Sequence, residues 1–233
     1  MFWPEVQSGA LLLVPTGSYE QHGPHLPLDT DTTIATAVAR RAADVLAGDH
    51  GPVLVGPAIA YGASGEHQDF PGTVSIGTDA LRQGLIELGR SACGWAGRLV
   101  FVNGHGGNLT ALRAAVGLLR TEGRDVGWIP CSVSGGDAHA GYVETSVMLH
   151  LAPGDVDLAR AAAGNLEPLE RLMPTLVTAG VRSVSANGVL GDPREATADA
   201  GAALLSSIVD DVVTRLRYGV ADDDGRLGAD GRG

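Results

Sequence analysis

Short apolar runs alternate with longer segments of helical periodicity along most of the chain. The runs have the length and branching of buried strands, and we predict strands over 11–14, 53–55, 99–102 and 126–130. Apolar residues recur at helical spacing between and after these runs, which predicts helices over 32–47, 78–95, 109–121, from about 141 onward, and over 197–218. Strands that alternate with helices indicate an α/β fold with a mainly parallel sheet covered by helices on both faces.

Three other segments have weaker patterns. We expect surface helix and loop over 155–172 and a β-rich excursion over 175–185. Residues 219–233 are rich in Gly and Asp, a composition typical of disorder. Because no low-complexity linker interrupts the middle, we predict a single domain over 1–218 followed by a disordered tail.

Polar clusters follow the predicted strands. The first loop, 17–31, has Pro residues that stiffen it and places Asp31 or Thr32 as the cap of the next helix. Parallel strands end at the same sheet edge, so we expect side chains from these loops to converge there. The loop residues that could form a binding or catalytic site are Glu20, His22, His25, Asp29 and Asp31, then Glu66 and His67, then Asn103, Gly104, His105, Gly106, Gly107 and Asn108, and finally Asp137, His139 and Glu144.

Carboxylates and imidazoles in this arrangement indicate a site for two divalent metal ions. Such a site needs about six to eight ligand atoms, usually with one bridging carboxylate. We take the ligands to be Glu20, His22, Asp31, His105 and Glu144. Each of them has an ordinary alternative role as a helix cap or a polar surface residue, and their recurrence on successive loops favours metal binding. The donor types suit Zn²⁺, Fe²⁺ or Mn²⁺.

The glycine-rich turn NGHGGN, residues 103–108, resembles a phosphate-binding loop only superficially. The characteristic lysine is absent, as the chain contains no lysine. We interpret Gly104, Gly106 and Gly107 as residues that let the backbone pass close to the metal site while His105 points into it. Asn103 and Asn108 would brace the turn through side-chain hydrogen bonds.

The net charge indicates which partners are excluded, and the cysteine content indicates the redox state of the compartment. A net charge of −11 argues against nucleic acid, which requires a basic face. Two cysteines, Cys93 and Cys131, without a CxxC pattern indicate a reduced protein with small core thiols. No signal sequence or run of about 20 apolar residues is evident, so we expect a soluble cytoplasmic protein with no membrane contact.

Four segments in order, GSYEQHGPHLPLDTD, GASGEHQDFPGT, NGHGGN and DAHAGYVETS, resemble the creatininase family of metal-dependent amidohydrolases. The resemblance covers about residues 10–215. It implies a three-layer α/β/α sandwich, two divalent metals per subunit, hydrolysis of amide C–N bonds and a homo-oligomer. Carried over by motif, Glu20, Asp31 and His105 would hold one metal, and His22, Asp31 and a further carboxylate the second.

That further carboxylate departs from the family pattern. The resemblance places it two residues after the histidine of the NGH motif, where this chain has Gly107. We therefore assign the role to Glu144 as a hypothesis, and the departure weighs against creatinine as the substrate. The segments WPEV, AYGASGEHQDFPGTVSIGT, PCSVSGGDAHAG and SANGVLGDPREAT resemble a peptidase branch of the family. That branch implies a ribosomally made redox-cofactor precursor peptide as substrate and release of its C-terminal dipeptide, Val-Tyr.

The predicted mechanism is attack of a metal-bridging hydroxide on the scissile amide. His139, which matches the catalytic histidine of the family, would pass a proton to the leaving amine, or alternatively would orient Glu144. The residues that would brace the metal ligands or bind the substrate are His25, Asp29, Glu66, His67, Asn103, Gly104, Gly106 and Gly107. Arg182 and Arg194 are candidates for the substrate carboxylate. We interpret His50 and His150 as structural.

Two rival functions remain open at this point. One is a creatininase-type or formamide-deformylase enzyme that opens a small cyclic or heterocyclic amide. The other is a non-catalytic scaffold that keeps the fold, which five intact candidate ligands weigh against.

Overall fold

The computed structural model describes residues 2–48 and 51–228, so His50 and residues 229–233 lie outside the described chain. Four parallel strands form the central sheet in the order β2-β1-β3-β4. In register, Leu13 of β1 pairs with Val55 on one side and Val100 on the other. The strands are β1 (Leu11–Thr16), β2 (Val53–Val55), β3 (Arg98–Asn103) and β4 (Val126–Pro130).

Helices cover both faces of this sheet. Alternate strand residues point to opposite faces, so Leu13 and Val100 pack under one group of helices while Leu12 and Phe101 pack under the other. The first face carries α1 (Thr30–Leu46), α4 (Tyr142–Leu151) and α6 (Ala198–Tyr218), and the second carries α2 (Thr78–Ala92) and α3 (Leu109–Thr121). The predicted three-layer α/β/α architecture is confirmed, with an all-parallel sheet.

Two local predictions are wrong. The segment 175–185 is not β-rich, because α5 (Leu169–Ala179) and a 3₁₀ turn (Val181–Ser183) occupy it. Leu172 and Leu176, one helical turn apart, bury the same face of α5 against Leu190. In addition α1 begins earlier than expected, so that Asp29 is its N-cap residue and Asp31 lies in its first turn.

The C-terminal segment also differs from the prediction. Residues 219–228 are not disordered, because they fold back along the outer edge of β4. Trp128 donates its backbone N–H to Gly225, and Leu227 donates its own to Trp128, each over 3.0 Å. The Leu227 side chain is fully buried in the core. One apolar residue therefore anchors a segment whose composition otherwise suggests disorder.

Other sequence expectations concern smaller features. Cys93 and Cys131 are free, partly buried thiols packed against the two core layers. Within the described chain, every helix is too short or too polar to traverse a lipid bilayer.

Candidate metal centre

Loops and helix starts at one edge of the sheet bring the predicted ligands together. Glu20 and His22 lie in the loop after β1, and Asp31 lies in the first turn of α1. His105 follows β3, and Glu144 lies in the first turn of α4, which follows β4. This is the carboxyl edge of a parallel sheet, where α/β proteins place their sites. Glu20 and His22 are fully buried, and Asp31 and His105 nearly so.

Asp31 lies at the centre of the cluster, with its two carboxylate oxygens facing different histidines. Oδ1 lies 3.1 Å from Nε2 of His22, and Oδ2 lies 3.4 Å from Nδ1 of His105. Ser18 fixes the carboxylate by donating its hydroxyl to Oδ2 over 2.7 Å. This arrangement is what a bridging carboxylate between two cations requires.

Glu20 supplies the strongest indication that a cation belongs here. Within the described residues, Oε2 has no hydrogen-bond partner, and Oε1 faces only ring nitrogens of His105, His67 and His139. Burial opposes ionisation of Glu20, but the positive charge of His105, 3.1 Å from Oε1, holds the pKa of that carboxyl well below its usual range. An ionised, buried carboxylate with one oxygen left without a donor is costly unless a cation compensates it, so the residues present fit a divalent metal.

The two ligand histidines are oriented by backbone carbonyls. Nδ1 of His22 lies 3.0 Å from the carbonyl of Glu20, and Nε2 of His105 lies 3.2 Å from the carbonyl of Ala63. Each ring therefore donates one N–H to the backbone and turns the other nitrogen towards the carboxylates, as metal-binding histidines do. Burial would lower both pKa values, but Asp31 raises the pKa of His22 and Glu20 raises that of His105, each to about 10.

Glu144 completes the second half of the cluster. Its Oε2 lies 4.0 Å from Nε2 of His22 and accepts the backbone N–H of Ala140 over 2.5 Å. Burial raises the pKa of the Glu144 carboxyl to about 7; His22 acts against this shift and Asp31 adds to it. Ala140 has φ of 52°, a left-handed conformation that is strained for a non-glycine residue and that aims its N–H at Glu144.

Asp137 fixes the start of the helix that carries Glu144. Its carboxylate accepts the backbone N–H groups of Tyr142 and Val143, the latter over 3.1 Å. These are unpaired donors of the first turn of α4, so Asp137 acts as a helix cap. From the sequence, Asp137 is predicted only as part of a polar loop.

His139 and His67 lie beside the cluster with their rings 4.5 Å apart. Nδ1 of His139 lies 3.9 Å from Oε1 of Glu20, and Nε2 of His67 lies 3.3 Å from the same oxygen. Burial lowers the pKa of both rings, that of His67 to about 4, and neighbouring histidines add to the effect. Both imidazoles are therefore neutral at pH 7.

Gln21 is a buried residue of the site that the sequence analysis missed. Its side-chain nitrogen lies 2.9 Å from Nδ1 of His67 and 3.1 Å from Nε2 of His139. Its position between Glu20 and His22, in a loop that lacks apolar residues at that point, was the available signal.

The remaining predicted residues differ in how close they lie to the ligand cluster. His25 is buried and its Nε2 lies 2.9 Å from the Thr145 hydroxyl, with its pKa lowered by burial and then by His22. Asp29 is exposed and is the N-cap residue of α1, without a side-chain hydrogen bond to the helix, so its role near the metals or the substrate stays a prediction. Oε1 of Glu66 lies 3.5 Å from Nε2 of His105 and lines a cavity of about 330 Å³ next to the cluster.

The NGHGGN turn is braced as predicted. Asn103 donates to the carbonyl of His105 over 2.7 Å, and Asn108 donates to Asn103 and to the carbonyl of Gly17. A Cβ at Gly104 would lie 2.6 Å from the carbonyl oxygen of Asp31, whereas a Cβ at Gly106 would meet open space. Gly104 therefore permits a close approach, and Gly106 does not serve that purpose.

Two arginines and one histidine have partners of their own. Arg182 donates to the carbonyl of Asp69, and Arg194 pairs with Asp192. Both guanidinium groups are thus already engaged, and their predicted role in binding a substrate carboxylate stays a prediction. Nη2 of Arg41 lies 3.2 Å from Nε2 of His150 near the end of α4.

Comparison with known sequences identifies one family. The family model described as creatininase, creatinine amidohydrolase, matches residues 1–216. A mycofactocin precursor peptide peptidase of Mycobacterium tuberculosis (strain CDC 1551 / Oshkosh) is 58% identical over 93% of this chain and 88% of its own. The Mycobacterium ulcerans (strain Agy99) protein of the same name is 55% identical over 97% and 89%. A creatinine amidohydrolase of Pseudomonas putida is 32% identical over 64% and 67%.

Solved structures agree with this fold assignment. A mutant creatininase complexed with creatine superimposes with a TM-score of 0.75 at 27% identity, covering 93% of this chain and 95% of that one. A manganese form, described as creatininase Mn, gives a TM-score of 0.72 at 28% identity, covering 89% and 90%. A Zn-Zn type of a mutant creatininase gives 0.71 at 26%, covering 89% and 90%.

Proposed function

This chain belongs to the creatininase family of amide-bond hydrolases, and we propose that it is the peptidase that acts on a mycofactocin precursor peptide. The proposed reaction is hydrolysis of a peptide bond with release of the C-terminal dipeptide Val-Tyr. The substrate is a ribosomally synthesised, modified peptide, and the protein acts in the cytoplasm as a homo-oligomer.

The main support for this proposal is the difference in sequence identity between two groups of relatives. Identity is 58% to a protein named mycofactocin precursor peptide peptidase and 32% to one named creatinine amidohydrolase. The first similarity extends over 93% of the chain, the second over 64%. Gly107 stands where the family resemblance places a glutamate ligand. This difference supports the same division, because a second metal would need a different carboxylate.

The residues at the site support two divalent cations, zinc or iron, with manganese as a further option. Glu20, Asp31 and His105 offer ligand atoms that lie within 4.8 Å of one another, and so do His22, His139 and Glu144. We assign Glu20 and His105 to one ion and His22 and Glu144 to the other, with Asp31 shared. When bound, such ions supply Lewis acidity that polarises an amide carbonyl and acidifies water.

His139 is the proposed proton carrier. Its ring is buried, it is neutral, and its Nδ1 faces the cluster. In amide hydrolysis the carbon of the scissile bond gains an oxygen from water and loses the amine, which needs a proton to leave. A neutral imidazole can accept a proton from the attacking water and return it to that amine.

Mass spectrometry of the reaction tests the proposal. A decarboxylated precursor peptide is incubated with metal-loaded protein, with the His22→Ala variant, and with His150→Ala as a matched control outside the site. We expect wild type and His150→Ala to remove a mass equal to Val-Tyr and His22→Ala to leave the peptide intact. If the wild type leaves the peptide intact and opens a small cyclic amide, the enzyme is a small-amide hydrolase and the peptidase proposal is wrong.

A further inference from the structure

The buried side chain of Gln21 connects His67 with a loop near the C-terminus. Its Nε2 lies 2.9 Å from Nδ1 of His67 and 3.0 Å from the carbonyl oxygen of Gly188. Gly188 has φ of 80°, and a Cβ there would collide with the Gln21 amide. The loop is therefore closely fitted to this one side chain, which is 5% exposed.

Backbone groups on both sides fix the orientation of the amide. Oε1 of Gln21 accepts the N–H of Gly23 over 2.9 Å, while Nε2 donates to the carbonyl of Gly188. A flipped amide would bring two carbonyl oxygens together at Gly188 and two donors together at Gly23. The hydrogen-bond network therefore requires the NH₂ group to face His67.

This orientation determines which nitrogen of His67 carries the proton. Because Gln21 donates to Nδ1, the neutral ring of His67 holds its hydrogen on Nε2. Nε2 lies 3.3 Å from Oε1 of Glu20, so His67 can donate to that carboxylate. A nitrogen that carries a hydrogen has no lone pair for a metal.

The backbone carbonyl of Gln21 gives His139 the same tautomer as His67, but with the hydrogen-free nitrogen turned towards Glu20. The carbonyl oxygen of Gln21 lies 2.8 Å from Nε2 of His139 and can only accept, so Nε2 carries the hydrogen. Both amide hydrogens of Gln21 are already used by His67 and Gly188, which leaves none for His139. The lone pair of His139 is thus on Nδ1, which faces Glu20 at 3.9 Å.

We propose that Gln21 is a positioning residue that gives two histidines opposite roles at the site: His67 donates to the ligand Glu20, and His139 keeps an open nitrogen for a proton. The catalytic part of this statement rests on the proposed function. The proposal also removes His67 from the metal ligands, although Glu20, His67 and His139 form a compact group of potential ligand atoms.

Nitrogen-15 NMR of histidine-labelled, zinc-loaded full-length protein tests the proposal, since chemical shifts and two-bond couplings distinguish the tautomers. His67→Asn and His139→Asn assign the two signals. We expect both rings to carry the hydrogen on Nε2 and neither to bind zinc. Gln21→Glu places an acceptor beside Nδ1 of His67, so we expect the hydrogen of His67 to move to Nδ1 and kcat to fall about 10- to 100-fold with little change in KM.

Two further variants keep the test decisive. Gln7→Glu makes the same chemical change at an exposed position and should leave both signals and kcat unchanged. If Gln21→Glu fails to fold, Gln21→Met removes the donor without adding charge, and His67 should then populate both tautomers. Any of three results would overturn the proposal. They are hydrogen on Nδ1 of His67 in the wild type, zinc bound through Nε2 of His67, and a His67 signal that is unchanged in both Gln21 variants.

The NMR result does not depend on the substrate. If the tautomers are as expected but the precursor peptide is not cleaved, the proposed function fails and the positioning by Gln21 stands. If the peptide is cleaved and the tautomers differ from expectation, the positioning role is wrong.

Discussion

The carboxylate of Glu66 occupies the space that a side chain at Gly107 would need. A Cβ at position 107 would collide with Oε1 of Glu66, Nε2 of His105 and the carbonyl oxygen of Ala63. The absence of a side chain at Gly107 therefore allows Glu66 to approach to 3.5 Å from His105. Because Glu66 fills this space, position 107 has no room for the glutamate ligand that the family resemblance places here.

The first prediction concerns this contact. Gly107→Ala should destabilise the fold by about 1–3 kcal/mol, because the added methyl group meets backbone as well as side-chain atoms. It should also displace His105 and lower the metal content. Gly106→Ala is the matched control, since a Cβ there meets no atom within 4 Å. Thermal denaturation and elemental analysis measure both effects; equal behaviour of the two variants would contradict the prediction.

The second prediction concerns the hydroxyl group that orients Asp31. Ser18→Ala removes the 2.7 Å hydrogen bond to Oδ2 of Asp31. Because partners of metal ligands orient them, metal affinity should fall about 10- to 100-fold. Competition with a metal chelator measures the affinity. Ser207→Ala, on the exposed face of α6, serves as the control, and unchanged affinity in Ser18→Ala would show that Asp31 needs no such partner.

The third prediction concerns pH. In the metal-free protein the pKa of Glu144 is raised to about 7, so its carboxyl is protonated at pH 6 and ionised at pH 8. A ligand must lose its proton to bind metal, so metal affinity should increase as the pH rises through this range. His22 and His105, with pKa values near 10, release protons at both pH values.

Calorimetry in buffers of different ionisation enthalpy counts the released protons. For the wild type, metal binding should release roughly one proton more at pH 6 than at pH 8. Glu144→Gln should abolish that difference while leaving the release from the two histidines. A difference that persists in Glu144→Gln would mean that another group titrates and that Glu144 is not a ligand.

The fourth prediction tests the folded C-terminal segment. Leu227 is fully buried, so Leu227→Ala should lower the free energy of unfolding by about 2–5 kcal/mol. Val220 lies in the same segment but is 50% exposed, and Val220→Ala should change it little. Denaturant unfolding gives both values. Equal, small effects would indicate a tail that does not contribute to the fold.

Much of the fold could be predicted because its strands are short, mostly apolar and followed by polar loops. Leu11 to Val14 and Leu99 to Val102 are short, branched apolar runs typical of buried strands, and the helices between them follow the helical period. The prediction failed where tertiary contacts outweigh local composition. The buried Leu227 side chain and backbone hydrogen bonds to Trp128 hold residues 219–228 against β4, and the segment 175–185 becomes helical and 3₁₀ because α5 packs on Leu190.

For the candidate site, the sequence predicts which residues lie on the loops that converge, but not the contacts that orient them. The clustering of Glu20, His22, Asp31 and His105 follows from their places at the ends of parallel strands. The hydrogen bonds that orient them were not predictable, because Ser18, Gln21 and Ala140 act through contacts between distant segments or through an unusual φ angle. Asp29 precedes Asp31 by two residues but turns outward, because Asp29 is the N-cap of α1 and Asp31 lies in its first turn.

Anomalous X-ray scattering from crystals of the zinc-loaded protein tests the central claim most directly. We predict two zinc peaks about 3.5–4 Å apart on either side of Asp31. One should lie beside Glu20 and His105, and the other beside His22 and Glu144, with His67 bound to neither. A single peak, or a second zinc without Glu144 among its ligands, would contradict the account.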